Sequence, residues 1–173
     1  MIDPIQWAQL VLRSTPVRWS SLAESLPEEV LSYEPSPGEW SALSCLKHLV
    51  DTERYVFPAR VSYFLSGQDF PAFNPDAEGS ARQAGEDMRS LAEEFRRLRA
   101  DSLIALGAVT RQDLERTAQH AELGLVSLSE MIHEWAAHDL NHTIQAERAM
   151  MQPFIAGSGP WKIYFKDHFV TRR

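Results

Sequence analysis

The chain has 173 residues, 44% apolar and 24% charged, which is the size and composition of one globular domain, so we expect a single domain over residues 1–173. The formal net charge of −7 disfavours nucleic acid as a partner, because phosphate binding needs a basic surface. The chain has a single cysteine, no secretory leader pattern at its start and no apolar run near the roughly 20 residues of a membrane span. These features predict a cytoplasmic protein with no membrane partner.

The first predicted helix covers about residues 4–26. Asp3 followed by Pro4 is typical of a helix start, because Asp caps free N–H groups and Pro fits the first turn. Apolar residues continue on both sides of Pro16, where the missing N–H predicts a break or a kink.

The second predicted helix follows a connector at residues 27–39 that is rich in proline. The helix is capped by Ser41 or Ser44 and runs to about Leu65. Pro58 is expected to bend it.

A long irregular segment at residues 66–79 is expected to carry the chain across the end of a bundle, with Phe70 and Phe73 holding it to the core. The third helix is then predicted from Ser80 to about Leu106.

This third helix carries a basic cluster. Arg96, Arg97 and Arg99 lie beside Glu93 and Glu94, and mixed charges at such spacing are typical of a solvated helix face. We therefore expect all three arginines to be exposed.

The fourth long helix follows a predicted connector at residues 117–126. Ser127 and Glu130 form a capping-box pattern at its start. It is expected to end near Met151, because Pro153 follows.

Four long helices with one long connection predict an all-α fold, a four-helix bundle. A short C-terminal segment that contains Trp161, Tyr164 and Phe165 is expected to be helical and to pack on the bundle.

Two histidines one turn apart on the fourth helix are the strongest chemical signal. At about 100° per residue, His138 and His142 share an arc with Met131, Trp135 and Ala149, so both imidazoles are expected to face the interior. Two stacked imidazoles can bind one metal ion. The alternative is a pair of hydrogen-bonded core histidines.

A third histidine, His48, lies on the second helix at the border of its apolar face. Together with the histidine pair it would give a three-His set, which is typical of catalytic zinc because a structural site closes with four protein ligands. The alternative is a half-buried histidine unrelated to the fourth helix.

Several motifs in this order resemble the DinB/YfiT-like superfamily of metalloenzymes, and the resemblance covers essentially the whole chain. The motifs are Pro37-Gly38-Glu39-Trp40-Ser41 before His48, then Gly124 to Ser127, His138-Asp139-x-x-His142-x-x-Gln145, and Gly159-Pro160-Trp161.

The resemblance implies a bundle with up-down-down-up topology and a divalent metal, such as zinc, nickel or iron, held by His48, His138 and His142. It also implies a homodimer and a small-molecule substrate. Related branches use a low-molecular-weight thiol for S-transfer or isomerisation.

Five other residues are candidates for roles around the metal. Glu134 could be a fourth ligand, a general base or a solvated acid. Asp139 and Gln145 are further catalytic or orienting candidates, although Asp139 points about 100° away from His138 and is expected to touch another helix or solvent. Thr52 could orient a ligand, and His120 could line the mouth of the site.

Other polar or aromatic residues are assigned to packing or to the surface. Cys45 could be a nucleophile, but a buried thiol commonly behaves as a small apolar residue. Trp40 and Trp161 are expected to be packing anchors, and His133 and His168 surface or packing residues.

The sequence leaves three functions open. The first is a thiol S-transferase in detoxification or stress response, and the second is a hydrolase at the same metal, because a bound metal activates either a thiol or a water. The third is a non-catalytic metal-binding stress-response protein.

Overall fold

The computed structural model describes residues 3–70 and 87–170. The helices are α1 (Pro4–Ser25), α2 (Glu28–Leu31), α3 (Ala42–Tyr55), α4 (Phe57–Ser66), α5 (Met88–Gly107) and α6 (Leu128–Gly157). A 3₁₀ turn (Asp113–Glu115), the strands β1 (Thr117–His120) and β2 (Gly124–Ser127), and a 3₁₀ segment (Gly159–His168) complete the described elements. The predictions for Phe73 and for the start of the third helix at Ser80 lie outside the described residues; Asp87 is extended and caps the helix, so α5 begins at Met88.

The predicted four-helix bundle is confirmed, with the helices in up-down-down-up order. The long helices α1 and α3 each pack against both α5 and α6, so α1 and α3 occupy opposite corners. Two apolar clusters form the core, one including Trp135 and Phe57 and the other including Trp19 and Phe95. Within the described residues, no helix has the length and apolar character needed to cross a membrane.

The break predicted at Pro16 is wrong, because α1 continues through it. Proline has no N–H, so the Leu12 carbonyl four residues earlier lacks its usual helical partner. The Arg99 guanidinium of α5 donates to that carbonyl, Nη1 to O at 2.9 Å. A side chain from another helix thus replaces the missing backbone donor.

The second predicted helix is divided in two near the expected bend. Ser41 is its cap, with the hydroxyl accepting from the Ser44 N–H at 3.2 Å. The backbone departs from ideal helix at Val56, with φ −112° and ψ −74°, and Pro58 stands in the first turn of α4. Proline is tolerated there, because first-turn N–H groups have no helical partner.

The prediction that all three arginines on the third helix are exposed is correct for two of them and wrong for the third. Arg96 and Arg97 are 64% and 65% exposed, whereas Arg99 is 1% exposed. Arg99 lies one turn after the buried Phe95 and one turn before the buried Ser102, so helical periodicity places it on the inner face.

The connector predicted before the fourth helix is an antiparallel hairpin, in which Thr117 pairs with Ser127 and His120 with Gly124. The capping box is confirmed: the Ser127 hydroxyl accepts from the Glu130 N–H. Helix α6 ends later than predicted, because Pro153 is accommodated inside it.

The C-terminal segment is helical, as expected, but it forms a 3₁₀ helix. The packing predicted for Trp161 and Tyr164 is wrong, since they are 67% and 75% exposed. With three residues per turn, these two side chains eclipse each other on the outer side. Phe165 is half-buried.

Candidate metal centre

The structure brings the three candidate histidines together. His48 comes from α3, and His138 and His142 come from successive turns of α6. The nearest ligand atoms of the three lie within 4.8 Å of one another. The Nε2 atoms of His48 and His138 are 3.0 Å apart.

This donor set fits a divalent cation. A tetrahedral zinc ion bound to nitrogens at about 2.1 Å holds those nitrogens about 3.4 Å apart. The 3.0 Å separation between two Nε2 atoms is near that value. Within the described residues, no fourth His, Cys, Asp or Glu joins the group.

Burial keeps the three imidazoles neutral, which is the form that binds metal. Desolvation, aided by His142, lowers the pKa of His48 to about 4. Desolvation and the neighbouring His142 and His48 lower the pKa of His138 to about 2. The pKa of His142 is also lowered by desolvation, with the Gln145 hydrogen bond opposing.

Gln145 lies where it can orient a ligand. Its Oε1 is 2.9 Å from Nδ1 of His142. An imidazole whose Nδ1–H donates to this oxygen keeps its lone pair on Nε2. Nδ1 of His138, in contrast, is buried and has no hydrogen-bond partner in the described part of the chain.

Aromatic side chains enclose the cluster. The Trp40 ring lies 5.0 Å from the His48 ring and is stacked 5.5 Å from the His142 ring. Phe57 contacts His138 edge-on at 5.2 Å. Trp40 is thus a packing residue, as expected, but it packs on the candidate ligands themselves.

A buried ion cluster lies beside the histidines along α6. The Arg99 guanidinium makes paired hydrogen bonds of 2.6–3.0 Å with the carboxylates of Glu53 and Asp139. With the bond to the Leu12 carbonyl, all five guanidinium N–H groups have an acceptor. Although burial opposes it, the two carboxylates raise the Arg99 pKa, so the guanidinium stays protonated; burial raises the pKa of Asp139, and the charge of Arg99 opposes that shift.

Asp139 is therefore engaged with Arg99 of α5 and turned away from the histidines, as its offset from His138 suggested. Its contacts with Arg99 fix α6 against α5, and the catalytic or orienting role considered for Asp139 stays a prediction. Trp135 also donates to Glu53, from Nε1 at 3.3 Å.

Glu134 is an exposed residue one turn before His138. Desolvation raises its pKa, and the positive charge of Arg60 on α4 opposes the shift. It is not part of the group of described residues that could hold a metal ion, and its roles as a general base or a solvated acid stay predictions.

The remaining two candidates do not contact the imidazoles in the described part of the chain. The Thr52 hydroxyl donates to the carbonyls of His48 and Leu49, within its own helix. The His120 ring packs edge-on against Phe70, and its Nδ1 accepts backbone N–H groups of the hairpin turn.

Three further side chains lie where packing or surface residues are expected. Cys45 is fully buried and burial raises its pKa to about 12, so its thiol is an apolar core group. His133 and His168 are exposed. The Arg99 cluster was not predicted, although the helical spacing of Arg99 from Phe95 and the free carbonyl that Pro16 must leave were both signals in the sequence.

These features define a helical-bundle protein with a candidate three-His metal centre. The family model described as the DinB superfamily matches residues 12–146, so the chain belongs to that superfamily. Its fold is similar to that of YfiT from Bacillus subtilis, described as a probable metal-dependent hydrolase with an unusual four-helix bundle topology. The two chains are 15% identical, with 87% of each covered and a TM-score of 0.75. No curated protein matches the sequence.

Proposed function

We propose that this protein is a metal-dependent enzyme that binds one divalent cation through His48, His138 and His142 and acts on a small molecule. The observation that carries the proposal is the convergence of three imidazoles without a fourth protein ligand among the described residues. Neutral ligands leave the charge of the cation uncompensated, and a three-ligand set leaves room for another molecule.

S-transfer from a low-molecular-weight thiol is the first reaction to test. A divalent cation in this site would lower the pKa of a thiol or a water that it binds. The chain's own residues would supply the rest: Gln145 orients His142, Trp40 and Phe57 exclude water, and Glu134, one helical turn before His138, is the candidate proton acceptor. Zinc, nickel and iron are the metals to compare.

Hydrolysis is the second candidate. The similarity of fold to YfiT favours it, since that protein is described as a probable metal-dependent hydrolase. The same residues would serve, with water in place of the thiol. We further propose, from the family resemblance, a cytoplasmic homodimer with a role in detoxification or stress response; light scattering tests the dimer.

Metal content tests the site. Tag-free wild-type protein, purified without chelators, is compared by elemental mass spectrometry with His138→Ala. The matched control is His133→Ala, an exposed histidine on the same helix. We expect about one ion per chain in wild type and the control, and loss of the ion in His138→Ala. No ion in wild type, even after reloading, would overturn the metal proposal.

Substrate screening then separates the reactions. Electrophilic and hydrolysable compounds are screened with and without thiols, in wild type beside His142→Ala. Turnover that needs both the thiol and His142 supports S-transfer, and turnover that needs His142 alone supports hydrolysis. A confirmed substrate that is turned over equally by the variant would exclude catalysis by this centre, and a bound metal without turnover would favour a non-catalytic metal-binding protein.

A further inference from the structure

A separate cavity adjoins the candidate metal centre. It has a volume of about 510 Å³ and lies between α6, the loop before α3, and the two residues Phe169 and Val170 that follow the 3₁₀ segment. This volume is in the range of small-ligand sites, about 300–1,000 Å³. Trp40 and Gln145, which contact the candidate ligands, line this cavity as well.

The cavity contains a cation whose hydrogen-bonding capacity is incompletely used. Arg148 lines it, and Nη2 of Arg148 donates to the carbonyls of Asp167 and Phe169 at 3.4 and 3.2 Å. Its Nε is buried without a hydrogen-bond partner among the described residues, and none of the ion pairs found there includes Arg148. Because that Nε is enclosed, only the terminal nitrogens of Arg148 can meet a ligand in the cavity, and a carboxylate is the partner that they fit best.

Part of the remaining wall is apolar, while Asn141 and Gln145 make another part polar. Trp40, Ile144 and Phe169 contribute apolar surface next to Arg148. Ile144 is 58% exposed and Phe169 is 40% exposed, so the cavity can be entered from solvent. Glu39 also lines it and disfavours ligands with several negative charges.

From these observations we propose that this cavity binds a small organic monocarboxylate, with the carboxylate on Arg148 and the apolar part against Trp40, Ile144 and Phe169. None of these residues is a candidate metal ligand, but Trp40 also packs on His48 and His142, so the cavity shares one wall with the proposed metal centre.

Calorimetric titration with phenylacetate tests the proposal, and 2-phenylethanol is the uncharged control. We expect phenylacetate to bind the wild-type protein, before and after dialysis against a chelator, and the alcohol to bind at least about tenfold more weakly. Absence of phenylacetate binding, or equal affinity for the alcohol, would overturn the proposal. Because binding is also measured after metal removal, its failure is distinct from failure of the metal proposal.

Two variants locate the binding. Arg148→Gln removes the guanidinium, and Ile144→Glu places a negative charge on the cavity wall at an exposed position that should not disturb folding. Their matched controls are Arg97→Gln, 65% exposed, and Ile104→Glu, 75% exposed, both on α5 and away from the cavity. We expect about a tenfold or greater loss of affinity in each test variant and wild-type affinity in each control. Wild-type affinity in either test variant would show that phenylacetate binds elsewhere.

Discussion

The hydrogen bond between His142 and Gln145 sets the chemistry of one candidate ligand at the scale of single residues. With Nδ1–H given to Oε1 of Gln145, the Nε2 lone pair of His142 is available to a cation. The corresponding Nδ1 of His138 has no such partner among the described residues, so the two ligands from one helix are supported differently.

Loss of this contact should weaken metal binding. We expect Gln145→Ala to lower zinc affinity by about 10- to 100-fold, because the imidazole loses the group that fixes its tautomer and orientation. Competition with a chromophoric chelator measures the affinity. Asn141→Ala, an exposed amide on the same helix, should match wild type. Equal zinc affinity in Gln145→Ala and wild type would mean that this contact does not support the ligand.

At the scale of elements, the start of α6 is fixed by its capping box. The Ser127 hydroxyl accepts from the Glu130 N–H at 3.2 Å, and the Glu130 carboxylate accepts from the Ser127 N–H at 2.7 Å. This cap determines where the helix that carries His138 and His142 begins. Hydrogen bonds from the backbone and side chain of Ser127 lower the pKa of Glu130.

Removing the cap should destabilise the protein modestly. We expect Ser127→Ala to reduce the free energy of unfolding by about 1 kcal/mol, measured by urea denaturation at neutral pH. Ser129→Ala, two residues on, should have little effect, and an equal loss in both would contradict the assignment. Because the Glu130 pKa is lowered, the stabilisation from its ionised carboxylate is present above the ordinary value of 4.5 and is lost as pH falls through the folded-state pKa.

Over the whole molecule, the Arg99 cluster joins all four corners of the bundle. Arg99 of α5 contacts the Leu12 carbonyl of α1, Glu53 of α3 and Asp139 of α6. Its guanidinium also lies over Phe95 of one apolar cluster, at 4.7 Å, and Trp135 of the other, at 5.6 Å. The cluster thereby fixes α3 relative to α6, the two helices that supply the candidate metal ligands.

Replacing Arg99 should be severely destabilising. We expect Arg99→Met to cost about 3–5 kcal/mol of unfolding free energy, because two carboxylates are left buried without a cation. Arg99→Lys, which keeps the charge but loses the forked contacts, should fall between it and wild type. Arg97→Met on the same helix should change stability by less than about 0.5 kcal/mol. Equal stability of Arg99→Met and Arg97→Met would contradict this role.

Much of the fold could be predicted because its signals are local. Helical periodicity gave the four long helices and placed His138 and His142 on the face of Trp135, and side-chain capping gave the starts at Ser41 and Ser127. Predictions from neighbouring residues were wrong where a residue distant in the sequence supplied a contact. A helix breaks at proline unless another group takes the free carbonyl, and no sequence rule identifies Arg99 as that group for Pro16.

The sequence by itself determined the helices, their caps and the spacing of the histidine pair, since each depends on residues within one or two turns. Only the tertiary structure decided that His48 meets this pair at 3.0 Å from His138, that Arg99 is buried and that Arg148 lines a cavity. The physical reason is that these features depend on which helix faces pack together, and that choice is made by burial of apolar surface and pairing of buried charges across the whole bundle.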